Sequence, residues 1–299
     1  MTRSSIPRFL AVVGLPRSGT TVLTALLDAH PHLCLYYEPW NASRRQPPPV
    51  PEGFDALVAW LSNRFGSAPA STARIIGFKE TTILPGSARW AIETVDRIAC
   101  ERPTHVVWIF RDPILCLLSK LDGARKWWGH PDAHFSEAVL VSYLREATGA
   151  LRALQSLVER HRGLVVQYEA LVREPALVLA RLMEEIGEQF LPAQLEYHRV
   201  GPQPHRVMGD VEVASDPAPL TDRREQARRA EAEPLRSIIE TVLAEPEFVW
   251  FRETTQRLAE RDPLFRLSRA VRISVRRRSA GGDAAVDARL LGSPEGIGS

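Results

Sequence analysis

The feature that most constrains the fold is an apolar run followed at once by a glycine-containing turn and an amphipathic segment, residues 9–27. The run Phe9–Gly14 predicts a buried strand, and the segment that starts at Thr20 predicts a helix. A strand, a tight turn and a helix in this order aim several backbone N–H groups and the positive end of the helix dipole at one point. The sequence therefore predicts an anion site at this turn, and the usual anion at such a turn is a phosphate.

The glycines of this turn have the spacing of a phosphate-binding P-loop, with four residues between Gly14 and Gly19. In nucleoside triphosphatases the second glycine is followed by lysine and then by serine or threonine. This chain has Thr20 and Thr21 at those two positions, and it carries Arg17 inside the loop. The loop therefore has the glycine spacing of the triphosphatases without their lysine.

Strand and helix patterns alternate along the chain, which is typical of a mostly parallel sheet. A chain of 299 residues can bury the core of one α/β domain, or at most of two. We predict an α/β fold of three layers, in which a mostly parallel central sheet is flanked by helices as in the P-loop NTPases. One domain is predicted over residues 1–255, and residues 256–299 are predicted to form a C-terminal extension with a partly disordered basic tail. The predicted strands are Phe9–Gly14, Leu33–Tyr37, Ile75–Lys79, Val106–Arg111 and Gly163–Tyr168.

Composition and charge narrow the classes of partner. A net charge of +2 gives no reason to expect a nucleic acid. The three cysteines lack the spacing of metal ligands, so we expect reduced thiols and no metal site. No segment is long and apolar enough to span a bilayer, so no stable membrane insertion is expected. We predict a cytoplasmic protein, and the sequence leaves its oligomeric state open.

A second motif follows the predicted strand Val106–Arg111. Arg111 comes at the carboxyl end of that strand, where α/β sheets bind their ligands, and an arginine binds phosphate with a planar fork. Ser119 lies about two turns into the helix that Pro113 begins. Alternatively, Arg111 pairs with Asp112 and Ser119 only packs in its helix. Together with the first loop, the motif favours a nucleotide that has two separated phosphates.

The two motifs together resemble those of the sulfotransferases that use 3′-phosphoadenosine 5′-phosphosulfate (PAPS). The 5′-phosphosulfate loop of that family is matched by Pro16-Arg17-Ser18-Gly19-Thr20-Thr21, and its 3′-phosphate motif is matched by Arg111 and Ser119. The resemblance extends over roughly residues 9–249 and includes Gln167-Tyr168-Glu169. It implies PAPS as the cofactor and 3′,5′-ADP as its product. The implied ligands are Arg17, Ser18, Gly19, Thr20, Thr21, Arg111, Ser119 and Tyr168.

Within that family, the sequence is most similar to the branch of the tyrosylprotein sulfotransferases and of many bacterial carbohydrate or small-molecule sulfotransferases. The loop arginine and the helix end Asp28-Ala29-His30-Pro31 carry this similarity. The resemblance implies that Glu38, after the second strand, is the catalytic base. It implies a catalytic role for Lys79 at the end of the third strand. Glu80 is the rival base, because it is adjacent to Lys79 at the same strand end.

Sulfuryl transfer makes physical demands that these residues suit. The protein must hold two oxygens in line and offset the charge that grows on the oxygen of the leaving phosphate. Arg17 and Lys79 are suited to the leaving phosphate, and a carboxylate such as Glu38 can take the proton of the acceptor. The departing group carries less charge than a γ-phosphoryl group, so no metal is expected to be required. The expected acceptor is a hydroxyl or an amine of a small molecule, a glycan or a lipid.

Two other functions remain open from the sequence. A P-loop kinase of a small metabolite, with ATP and Mg²⁺, would use Asp112 as a Walker-B carboxylate. Thr20 in the lysine position argues against it. The third candidate is a non-catalytic nucleotide-binding module.

Trp127 and Trp128 are either one wall of an acceptor pocket or part of the core. The segment His205-Arg206-Val207-Met208-Gly209-Asp210 is similar to a late segment of the sulfotransferase family that folds over the nucleotide. Arg223 and Arg224 are candidate ligands for the adenosine end of that nucleotide.

Overall fold

A computed structural model describes residues 7–40, 51–81, 87–199 and 223–266. In these residues strands and helices alternate as the sequence predicts. The strands are β1 (Arg8–Gly14), β2 (Leu33–Tyr37), β3 (Ile75–Thr81), β4 (Thr104–Phe110), β5 (Leu164–Gln167) and β6 (Leu264–Arg266). The α-helices are α1 (Thr20–Asp28), α2 (Phe54–Phe65), α3 (Ser87–Ile98), α4 (Pro113–Lys126), α5 (Glu137–Arg160), α6 (Tyr168–Arg173), α7 (Pro175–Glu185), α8 (Arg223–Ala232), α9 (Arg236–Leu243) and α10 (Val249–Ala259). Short 3₁₀ helices lie at Pro192–Arg199, Glu233–Leu235 and Pro246–Phe248.

The six strands form one sheet in the order β2-β3-β1-β4-β5-β6. Strands β1 to β5 run parallel, and β6 pairs antiparallel with β5. Parallel neighbours need crossover connections, and the helices between the strands provide them. The order places β1 near the centre, where β3 and β4 both pair with it. The predicted mostly parallel α/β sheet is confirmed.

Side chains of the central strand alternate between two apolar cores, one on each face of the sheet. Phe9, Ala11 and Val13 join the core formed with α2, α3, α5, α9 and α10. Leu10 and Val12 join the core formed with α1, α6 and α7. A strand that is buried on both faces reads as a continuous apolar run, which is the pattern of residues 9–13. The predicted three-layer arrangement is confirmed.

The C-terminal part of the described chain extends the sheet. The predicted boundary between residues 255 and 256 falls inside α10, and β6 lies beyond it. The division into a domain and a basic extension stays a prediction, because residues 267–299 lie outside the described residues. Among the helices that the structure describes, none combines the length and the hydropathy that crossing a membrane requires.

Gly77 is required by the close approach of β3 to β1. It pairs with Leu10, and a Cβ atom at this position would lie 1.7 Å from the Leu10 carbonyl oxygen. We expect Gly77→Ala to lower the free energy of unfolding by about 1–3 kcal/mol, because the backbone of one strand has to shift. Urea denaturation followed by circular dichroism measures this change.

The matched control is Gly149→Ala, in the middle of α5. Apart from the backbone of the helix itself and the two neighbouring residues, no described atom lies within 4 Å of a Cβ atom there. Since alanine is a better helix former than glycine by up to about 1 kcal/mol, this variant should be as stable as the parent or more so. Equal stability of Gly77→Ala and the parent protein would contradict the close approach of the strands.

Candidate active site at the carboxyl edge of the sheet

The turn between β1 and α1 has an unusual backbone. Arg17 has a φ of 69° and Gly19 a φ of 96°, both in the left-handed region. A residue other than glycine rarely adopts this conformation, and such residues cluster at functional sites. Gly19 holds the N-cap position of α1 and has no side chain with which to cap the N–H groups of the first turn. The turn therefore presents uncapped backbone donors at the positive end of a helix.

Ser18 lies buried within this turn. Among the described residues, its hydroxyl has no hydrogen-bond partner. A Cβ atom at Gly14 would come within 2.5 Å of that hydroxyl oxygen and within 2.9 Å of the Ile109 carbonyl oxygen. Glycine is thus needed at residue 14 for the loop to close over β4. A buried hydroxyl without a partner is uncommon in folded proteins. In this loop, such a hydroxyl is suited to donate a hydrogen bond to an anion.

Lys79, near the end of β3, contacts one residue in α1 and one residue that follows β2. Its ammonium group is fully buried, donates a hydrogen bond to Thr21 Oγ1 at 3.0 Å and forms an ion pair with the Glu38 carboxylate. Glu38 has a φ of 49°, and its backbone N–H donates to the Lys79 carbonyl oxygen at 2.8 Å. The structure thus brings Glu38 and Lys79 together beside Thr21, in the first turn of α1.

Glu80 is more deeply buried than Glu38. Its side chain accepts the backbone N–H groups of Trp40 and Thr81, each at 3.1 Å. Burial and, after it, the nearby negative charge of Glu38 raise the pKa of Glu80 to about 8, although the two N–H groups and the charge of Lys79 act in the opposite direction. At neutral pH the Glu80 side chain is therefore mainly protonated, and it holds the chain that follows Glu38 in place.

The loop arginine reaches α4. Arg17 Nε donates to Ser119 Oγ at 3.2 Å, and its guanidinium lies 5.4 Å from the centroid of the Trp127 ring. From the sequence, Arg17 and Ser119 are expected at opposite phosphates of the nucleotide. The structure places their side chains in direct contact with each other. Of the two tryptophans, Trp127 is thus the one that contacts the turn between β1 and α1, residues 15–19, which we call the anion loop, whereas Trp128 is 45% exposed.

Arg111 lies on the other side of the loop. Its Nη1 donates to the Arg17 carbonyl oxygen at 2.8 Å, and its guanidinium lies 4.6 Å from the centroid of the Tyr168 ring. Tyr168 in turn lies against Gly19, where a Cβ atom would come within 2.3 Å of the ring. The two predicted phosphate motifs are therefore joined through Arg111 and Tyr168.

The partner of Arg111 is a residue that the sequence motifs do not indicate. That partner is Glu225, whose Oε2 accepts from Arg111 Nε at 3.1 Å and from Arg111 Nη2 at 2.7 Å. Asp112, the alternative partner, caps α4 instead by accepting the Ile114 N–H at 2.8 Å. A charged helix around residue 225 is visible in the sequence, but its pattern does not show which side chain turns inward. Arg223 of the same helix is exposed.

Other candidate residues fall outside the described part of the chain. Residues 41–50 and the segment 205–210 lie there, and the Arg224 side chain is also not described. The carboxyl ends of β1 to β5 contribute, in turn, the loop at Arg17, then Glu38, Lys79, Arg111 and Tyr168. This edge is where open α/β sheets bind ligands. The other described site residues lie in helices, Thr20 and Thr21 in α1, Ser119 in α4 and Glu225 in α8.

The fold and the loop define a P-loop-like α/β protein whose candidate site lies at the carboxyl edge of its sheet. A model of the Sulfotransferase family matches residues 10–192, which is more than half of the chain. The chain therefore belongs to the sulfotransferase family, and the resemblance found in the motifs is confirmed at the level of the family.

Several solved structures are similar to this chain. The sulfotransferase domain from the curacin biosynthetic pathway has 17% identity and a TM-score of 0.42, with 77% of this chain and 99% of that chain covered. The sulfotransferase domain of the Synechococcus PCC 7002 olefin synthase has 18% identity and a TM-score of 0.41, with 81% and 97% covered. Mouse sulfotransferase SULT7A1 complexed with PAP has 11% identity and a TM-score of 0.46, with 86% and 91% covered. No curated protein matches the chain.

The raised pKa of Glu80 predicts a pH dependence of stability. In the unfolded chain this carboxyl group loses its proton near its ordinary pKa of 4.5, whereas in the folded protein it keeps the proton up to about pH 8. The folded state therefore binds more protons between these values, and its stability falls as the pH rises through them. The contribution changes by at most about 1.4 kcal/mol per pH unit.

Glu80→Gln should remove this dependence. As the pH rises from 5 to 8, we expect the free energy of unfolding of the parent to fall relative to that of Glu80→Gln. Urea denaturation at several pH values measures it. A difference that stays constant over this range would show that Glu80 titrates normally in the folded protein.

Proposed function

We propose that this protein transfers the sulfuryl group of PAPS to a hydroxyl or an amine of a small-molecule, glycan or lipid acceptor. The observation that carries the proposal is the contact of the Glu38–Lys79 ion pair with Thr21, directly beside the anion loop. A proton acceptor and a buried cation stand together where the leaving phosphate is expected. That combination serves group transfer, whereas a module that only binds a nucleotide has no use for it.

The residues of the loop fit the 5′-phosphosulfate end of the donor. Ser18 offers a buried hydroxyl with no partner among the described residues, and the uncapped start of α1 offers backbone N–H groups. Gly19 allows that backbone to approach a ligand closely. Thr20 and Thr21 lie in the first turn of α1, and Arg17 supplies positive charge at the same loop. At the other end, Arg111, Ser119 and Tyr168 would hold the adenosine 3′-phosphate.

PAPS, when bound, supplies a sulfuryl group attached to a phosphate that can leave. Lys79 is held at the start of α1 by Thr21 and Glu38, so its charge offsets the negative charge that grows on the leaving oxygen. Arg17 acts on the same charge from the loop. Glu38 takes the proton of the acceptor, and Lys79 keeps its carboxylate oriented for this task.

The surroundings of the two glutamates support Glu38 as the base. Both oxygens of Glu80 accept backbone N–H groups, and only 1% of the residue is exposed. Glu38 is paired with Lys79, whose ammonium group also contacts Thr21 in the first turn of α1. Asp112 is used as a helix cap, which speaks against the Mg²⁺ role that a kinase would give it. The cytoplasmic location and the absence of a metal requirement stay predictions.

The activity test compares the two glutamates. Transfer of radiolabelled sulfate from PAPS to a panel of acceptors is measured first with the parent protein. We expect Glu38→Gln to lower the turnover by about 10²- to 10⁴-fold, the usual contribution of a general base. Glu80→Gln should keep most of the activity, because it changes only a group that positions the chain. If Glu80→Gln abolishes transfer and Glu38→Gln does not, the base has been misassigned.

Thermal shift with different nucleotides separates the sulfotransferase from the kinase. We expect 3′,5′-ADP with EDTA to raise the melting temperature, because a ligand that binds the folded state stabilises it. ATP with Mg²⁺ should raise it less at equal concentration. Stabilisation by ATP with Mg²⁺ alone would favour the kinase, and the chain would then not use PAPS in the proposed way.

A further inference from the structure

We infer that Glu225 determines the affinity and selectivity of this protein for nucleotides that carry a 3′-phosphate. Its carboxylate accepts from the phosphate-binding edge of Arg111, and a 3′-phosphate binds by replacing it. This inference rests on the proposed function, because it takes Arg111 as the ligand of the 3′-phosphate.

The contact uses the edge of the guanidinium that binds oxyanions. An arginine offers Nε and one Nη side by side as a fork, and a carboxylate or a phosphate accepts from both. In Arg111 these two nitrogens both donate to Glu225 Oε2. Its other terminal nitrogen donates to the Arg17 carbonyl oxygen, and one face is covered by the Tyr168 ring. A phosphate that binds through the fork must therefore take the place of Glu225.

Because Arg111 and Glu225 are both charged and buried, a 3′-phosphate has to compete with Glu225 for Arg111. Both Arg111 and Glu225 are buried, at 6% and 5% exposure. A phosphate and a carboxylate on the same fork would repel each other, so the two anions do not share it. The pair compensates the buried charge of Arg111, because an unpaired buried guanidinium is strongly destabilising. Part of the binding free energy of a 3′-phosphate is thus used to displace Glu225.

The position of Glu225 is fixed by contacts outside the pair. On the next turn of α8, Arg228 forms an ion pair with Asp122 of α4, which Lys126 also contacts at 3.0 Å. Helix α8 is therefore anchored to α4 independently of Arg111. Removing the Glu225 charge should leave this anchor in place, which makes a conservative substitution informative.

The experiment compares 3′,5′-ADP with 5′-AMP, which differ only in the 3′-phosphate. Isothermal titration calorimetry gives both dissociation constants for the parent protein and for Glu225→Gln. We expect the variant to bind 3′,5′-ADP about tenfold more tightly or better, which corresponds to about 1.4 kcal/mol, while its affinity for 5′-AMP changes less than about threefold. Glu233→Gln, which removes an exposed glutamate charge nearby, should change neither affinity.

The double variant Arg111→Ala/Glu225→Gln tests whether Glu225 affects the binding of 3′,5′-ADP through Arg111. In the Arg111→Ala background, the substitution of Glu225 should no longer strengthen the binding of 3′,5′-ADP, since the fork is absent. Equal gains for the two nucleotides, or weaker binding of 3′,5′-ADP by Glu225→Gln, would overturn the inference. The second of these results would assign Glu225 to the nucleotide as a ligand.

A structure of the parent protein with 3′,5′-ADP keeps the inference testable if the variants do not fold. We expect Glu225 to have left the Arg111 fork in that complex, and a retained pair would overturn the inference. The two proposals also fail differently. If neither the parent nor Glu225→Gln binds 3′,5′-ADP, both fail. If the parent binds it through Arg111 and Glu225→Gln changes nothing, only the role of Glu225 fails.

Discussion

A buried ammonium group is the interaction on which the site depends. Lys79 has no exposed surface, and an isolated charge in such a place is strongly unfavourable. Its partners therefore have to be present, and they come from two other elements, Glu38 after β2 and Thr21 in α1. The ion pair explains why Glu38 can hold a left-handed backbone, because the carbonyl oxygen of Lys79 and its ammonium group both bind this residue.

The two anion motifs, separate in the sequence, form one continuous structure. Arg111 donates to the carbonyl oxygen of Arg17, and Arg17 donates to Ser119. Each arginine thus contacts the segment that carries the other motif. A ligand at one motif therefore acts on residues that also shape the second, so the two ends of a nucleotide are not recognised independently.

Much of the fold could be predicted from local patterns. The run Phe9–Gly14, the glycine spacing after it and Pro113 each specify their own backbone, so β1, the loop and the start of α4 were predictable. The family match bears out the motifs at Arg17 and Arg111 only as signs of the family. The individual roles of these residues stay predictions.

Other features depend on contacts between distant segments. Glu225 reaches Arg111 across 114 positions of the chain, and its helix is so rich in charge that no apolar stripe marks the inward face. β6 has only three residues and exists because β5 offers an edge to it. The contact between Arg17 and Ser119 likewise needs α4 to be placed first.

The central position of β1 has a mechanical consequence for the loop that follows it. This strand is tied by a ladder on each side, to β3 along its whole length and to β4 from Phe9 to Gly14. Its carboxyl end can move only if both ladders open together. The turn with its left-handed residues thus follows a strand that is hydrogen-bonded on both sides. The backbone amides of β1 should therefore exchange with deuterium only when the entire protein unfolds.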